Sequence, residues 1–142
     1  MYAILKTIHS YWAYFTLLIL ILAVLNSLVG YFAKKEFSSK DLRIALFALI
    51  FSHIQFLIGI ILYFVSPWFD QWSSGNVMQD ATARLYLVEH PLTNIIAIAF
   101  ITVGWSLHKR QEASQKKFSR IAIFYFLGLV LLLSRIPWDV WF

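Results

Sequence analysis

Four stretches of this 142-residue chain are apolar over lengths that match the roughly 30 Å hydrocarbon core of a bilayer, and no other feature constrains the fold as tightly. They predict helices over about 8–33, 42–65, 81–108 and 121–136. Strands of a membrane barrel would alternate apolar with polar residues, whereas "LLILILAVL" and "IAFITV" are apolar on every face. Composition agrees: 61% of residues are hydrophobic and 13% charged, against roughly 25% charged in a soluble domain. The expectation is an all-α integral membrane protein.

The net charge of +5 invites a nucleic-acid reading, which its distribution removes. Lys34, Lys35, Lys40 and Arg43 fall in one connection, and Lys109, Arg110, Lys116, Lys117 and Arg120 in another. By the excess of Lys and Arg on cytoplasmic loops, these two connections face the cytoplasm. Only Lys6, Arg84 and Arg135 lie on the opposite side. Both termini and the loop 66–83 are therefore expected on the non-cytoplasmic side of an up-down four-helix bundle spanning 1–142 as one domain.

Lys6 is the only early charge, and no small-residue cleavage pattern follows the first apolar run. That segment is expected to stay as helix one rather than be removed as a signal peptide. Cysteine is absent, so a cofactor would need nitrogen or oxygen ligands. Ser39 or Asp41 is expected to cap helix two, and Asp80 helix three. The stretch "SPWFDQWSSGNVMQD" reads as an interfacial loop with Trp68 and Trp72 at headgroup depth.

The segment "YLVEHPLTN" places Glu89, His90 and Pro91 at the mouth of the third span. Pro91 lacks a backbone donor, which packing or polar partners must compensate inside lipid. Ionisable groups at membrane depth are costly and mark sites. His9 lies near the outer end of helix one and Arg135 near the outer end of helix four, so three helices bring nitrogen groups to one side. Arg135 reads either as snorkelling to lipid phosphate, with Asp139 as a partner, or as a clamp on Glu89 or a ligand carboxylate. His108, beside Lys109 and Arg110, reads as a cytoplasmic interface residue.

His53, in "FSHIQFLIG", lies near the bilayer midplane and is the strongest single candidate ligand. Its bland reading is polar glue between helices, bonded to Asn26, Asn94 or a backbone carbonyl. Histidines on separate helices of an aromatic-rich bundle suggest one b-type haem, with Arg135 near its propionates. Counting inward at 1.5 Å per residue puts His9 about 37 Å, His90 about 28 Å and His53 about 15 Å above the inner boundary. Either His9 with His90 or His53 with His90 could pair if tilt and a kink at Pro91 close the gap.

The segments "HSYWAY", "KKEFSSKDLRIALFALIFSHIQFLIGIILYFVSP", "VEHPLTNIIAI" and "LLLSRIPWDVWF" resemble a group of short bacterial four-helix inner-membrane proteins labelled cytochrome b-like. The likeness spans nearly the whole chain. It implies haem b, electron transport and the bacterial inner membrane, and it carries no ligand assignment. Lipid, a quinone or other subunits of a membrane complex are the expected partners, with no nucleic acid. The alternative is an accessory subunit of a larger membrane complex that carries no cofactor. No nucleotide motif, paired catalytic carboxylates or HExxH motif occurs, so independent catalytic activity is not expected.

Overall fold

A backbone immersed in hydrocarbon must satisfy its own donors and acceptors, and a helix does this within one segment. The computed structural model describes residues 1–141, and these contain helices and turns but no strand. Four helices are long and apolar enough to cross a membrane: α1 (Tyr2–Phe32), α2 (Ser39–Val65), α3 (Ala81–Lys109) and α4 (Ser114–Ser134). A 3-10 segment, Pro67–Ser74, joins α2 to α3, and a short α5, Trp138–Trp141, follows α4.

The ends differ from the apolar runs for local reasons. α1 starts at Tyr2 rather than Ile8, because Lys6 and Thr7 are tolerated in a helical turn, where Thr7 donates back to the Ala3 carbonyl at 2.9 Å. α4 starts at Ser114, its polar first turns extending the helix beyond the apolar run. It ends at Ser134, shortly before Pro137, which disfavours helical geometry at Ile136.

Ser38 is the residue that caps α2. Its backbone N–H and its hydroxyl both donate to Asp41 Oδ2, at 2.8 and 2.9 Å. Asn26 of α1 donates to the other carboxylate oxygen at 2.8 Å, so a buried acid ties two helices together. Asp80 caps α3, as the sequence predicts, accepting from Thr82 and Ala83 N–H groups.

α1 packs on α2 and α4, and α3 packs on the same two, which leaves α1 and α3 diagonal to one another. The half nearest the α1–α2 and α3–α4 connections, called inner below, and the half nearest the termini, called outer, then differ. The inner half is filled by Leu20, Ala23, Ala45, Ala48, Ile101, Ile121 and Tyr125, and the Tyr125 hydroxyl donates to the Ala45 carbonyl at 2.8 Å. Gly128 permits the close approach of α3 and α4, since a Cβ there would stand 3.0 Å from the Ala97 carbonyl and 2.7 Å from Ile101. Outward-facing residues such as Leu25, Leu57, Ile95 and Val130 are aliphatic and exposed. Such a surface fits the make-up of a multi-pass membrane protein.

Candidate functional site

Between the outer halves of α1 and α3 the core opens into a cavity of about 650 Å³, within the range of small-molecule and cofactor sites. Small residues make the room: Ser10 and Ala13 on α1, Ser52 and Gly59 on α2. His9 enters from α1 and His90 from α3. Their ring centroids lie 6.3 Å apart with the planes perpendicular.

The presentation of His90 follows from the local backbone. Pro91 has no N–H to give and its ring crowds the carbonyl four residues earlier, which belongs to Leu87. The chain answers with a π-helical turn over Leu85–Glu89, in which the His90 N–H reaches back to the Leu85 carbonyl. Such turns are inserted where a side chain has to be re-aimed. The Leu87 carbonyl accepts instead from the Tyr63 hydroxyl of α2 at 3.0 Å, and the Trp72 indole donates to Tyr63 at 3.0 Å. Pro91 is thereby compensated by a polar partner on a neighbouring helix.

The hydrogen bonds of His90 assign its tautomer. The Arg135 carbonyl, at the end of α4, has no helical donor and takes a bond from His90 Nδ1–H at 2.9 Å. A carbonyl only accepts, so the proton sits on Nδ1 and the electron pair on Nε2. That pair accepts from the Asn94 amide at 3.1 Å. An Nδ1–H bonded to a carbonyl is the arrangement that orients a ligating imidazole.

His9 is seated against α2. A Cβ at Gly59 would stand 3.3 Å from its Cε1 and 3.9 Å from its Nδ1, so only glycine leaves the ring its place. Gln55, one turn earlier, donates from Nε2 to the His9 carbonyl at 2.8 Å. Three buried polar atoms of cavity-lining residues lack hydrogen-bond partners: His9 Nδ1, Gln55 Oε1 and Asn94 Oδ1.

His53, the strongest ligand candidate from sequence, stands apart from this pair. Its Nδ1 donates to the Leu49 carbonyl at 2.7 Å, and its Nε2 meets the Thr102 hydroxyl at 3.2 Å. Thr102 is about 18 Å along α3 from His90, so His53 with His90 cannot flank one metal ion. The Leu49 bond stays within α2 and the contact that crosses to α3 is with Thr102, a partner the sequence reading did not name, while Asn26 and Asn94 serve Asp41 and His90.

The depth mismatch predicted for His9 and His90 disappears because the loop charges used to anchor the count lie at unequal depths. Asn26 is level with Asp41, so α1 overshoots α2 on the inner side. From Asn26, His9 is about 26 Å away, close to the figure for His90.

At the outer mouth, Glu89 accepts from Arg84 Nε at 2.8 Å, and Arg135 Nε stands 3.9 Å from its other oxygen. Of the partners the sequence left open for Arg135, Glu89 lies within reach, at longer range than Arg84 is from it. Its side chain remains 52% exposed. His108, in the last turn of α3 beside Lys109, is turned into the protein: it is 1% exposed, packed between Phe37 and Trp105, and its Nδ1 donates to the Trp105 carbonyl at 2.6 Å.

The sequence reading offered Asn94 as a partner of His53 rather than of His90, gave Gln55 no role, and passed over Tyr63. The four-residue spacing of Gln55 with Gly59 and of His90 with Asn94 was the available signal. No family model, curated protein or solved structure matches this chain, so the site is read from its own chemistry.

Proposed function

We propose that the chain is a bacterial inner-membrane protein that holds one b-type haem between His9 and His90 and passes single electrons. It is read as an up-down four-helix bundle with both termini outside the cytoplasm, consistent with the nine basic residues of the two inner connections. The observation that carries the haem reading is the His9–His90 pair, whose perpendicular rings lie 6.3 Å apart between centroids and both line the cavity.

The residues present fit such a group. His9 and His90 would hold the group, each through an imidazole nitrogen, and their rings lie 6.3 Å apart between centroids. The diagonal placement of α1 and α3 is how helical bundles bring ligands to an interior cofactor. When bound, haem would supply a reversible one-electron couple.

The chain's own residues do the rest. The Arg135 carbonyl keeps the His90 proton on Nδ1, and the π turn aims the ring. The Asn94 amide donates to His90 Nε2 at 3.1 Å and would have to release it if haem bound. Arg135 and Lys6, near the mouth, are cations suited to carboxylate groups at the water boundary. The lining is mostly apolar, with aromatic rings among its aliphatic side chains. Electrons would be exchanged with a neighbouring membrane subunit or a quinone.

The absorption spectrum of the chain purified from a haem-replete host tests this. A Soret band and a reducible α band at one haem per chain are expected. Protein that folds but carries no haem would overturn the reading in favour of an accessory subunit.

A further inference from the structure

Both histidines of the pair need an unprotonated nitrogen if they are to ligate, and an imidazole in water carries its proton on either nitrogen. For His90 the Arg135 carbonyl decides. For His9 the structure offers a different device. Gln55 lies one turn before Gly59 on α2, and its side chain reaches His9 at the main-chain carbonyl.

The orientation of the Gln55 amide is set by its surroundings. Its Nε2 donates to the His9 carbonyl at 2.8 Å, and because a carbonyl can only accept, the other end of the amide is oxygen. That oxygen, Oε1, is buried without a donor, and His9 Nδ1 is buried without a partner. One atom can only accept and the other can donate. The Nδ1 edge of the ring lies against Gly59, where no side chain intervenes. Buried polar groups pair when a complementary group is at hand.

We infer that Gln55 is a positioning residue: its Oε1 takes the Nδ1 proton of His9 and leaves the electron pair on Nε2, so that His9 and His90 share one tautomer. The amide thereby grips His9 twice, at the main-chain carbonyl and at the ring. This deepens and rests on the haem reading, yet the tautomer itself is measurable without haem.

The experiment uses the full chain, labelled with ¹⁵N-histidine and expressed in a host unable to make haem, reconstituted in lipid nanodiscs. Ring ¹H–¹⁵N correlations distinguish Nδ1–H from Nε2–H, and the signal lost in His9→Ala is that of His9. Wild-type protein is expected in the Nδ1–H form, Gln55→Leu in the Nε2–H form or a mixture, and Gln55→Glu, which keeps an acceptor oxygen, in the Nδ1–H form again. An Nε2–H ring in the wild type overturns the inference without any variant. So does an unchanged Nδ1–H ring in folded Gln55→Leu. Nδ1–H in the wild type with loss in Gln55→Leu supports it even if haem-replete protein proves to lack haem, which would fail the haem reading alone.

Discussion

The Tyr63 hydroxyl donates to the Leu87 carbonyl at 3.0 Å, and Leu87 is the residue whose carbonyl Pro91 leaves without a helical donor. The two facts are one arrangement: α2 repairs the backbone of α3 just where His90 enters the cavity. Removing the hydroxyl in Tyr63→Phe leaves a carbonyl unmet in a low-dielectric setting, at a cost of about 1–3 kcal/mol. Pro91→Ala restores a backbone N–H that competes for the same carbonyl. The cost of Tyr63→Phe is therefore expected to shrink in the Pro91→Ala background, which a double-mutant cycle of unfolding in detergent would register. Strict additivity would mean that Tyr63 does not act on the gap left by Pro91.

The four histidines separate cleanly by location, and haem content should follow. His9→Ala and His90→Ala are each expected to abolish the Soret band. His53→Ala and His108→Ala are expected to keep it, because His53 bonds to Leu49 and Thr102 and His108 packs beneath Phe37, away from the cavity. Loss of the band in folded His53→Ala would contradict the assignment of the pair.

How much of this was legible in the sequence depends on which physical quantity decided it. Helix number and type follow from apolar length, which survives any packing arrangement. Asp80 could be read as a cap and Pro91 as a gap needing a partner, because both are local. Pairing of His9 with His90 could not be chosen over His53 with His90, since depth counted from Lys34 and Lys109 assumes a common boundary. Asn26 set level with Asp41 shows that α1 overshoots by about two turns. Facing direction was equally hidden: His53 and Gln55 are two residues apart, yet one turns to α3 and the other to α1. The burial of His108 was not legible from its neighbours Lys109 and Arg110, because it depends on the α1–α2 connection bringing Phe37 over the ring.

Asp41 is a buried acid, 3% exposed, held by Ser38 and Asn26. Replacing it by alanine removes the cap interaction, worth about 0.5–2 kcal/mol, and strands the Asn26 amide. Asn26→Ala alone should cost less than Asp41→Ala. In the Asp41→Ala background it should be close to neutral, because the partner is already gone. Thermal unfolding of the three variants in the same detergent checks the order; equal, additive losses would mean that the contact between α1 and α2 carries no coupling.

Two glycines should respond in opposite ways. At Gly128 an added methyl meets the Ala97 carbonyl at 3.0 Å and the branched Ile101 at 2.7 Å. Neither yields without moving α3 from α4, so Gly128→Ala should destabilise by about 1–3 kcal/mol. The cavity lies elsewhere, so on the haem proposal molecules that remain folded should bind haem as the parent does. At Gly59 the nearest atom is His9 Cε1 at 3.3 Å, the end of a side chain bordering open space. The ring can move by a few tenths of an ångström, so Gly59→Ala should leave unfolding within about 0.5 kcal/mol of the parent. A displaced ring, however, no longer meets its partner across 6.3 Å, so haem content or midpoint potential should change. Gly59→Val should extend the effect to loss of the α band in protein that still unfolds cooperatively. If both glycines instead lowered stability and haem together, the cavity would have to be regarded as part of the packed core rather than as a site set apart from it.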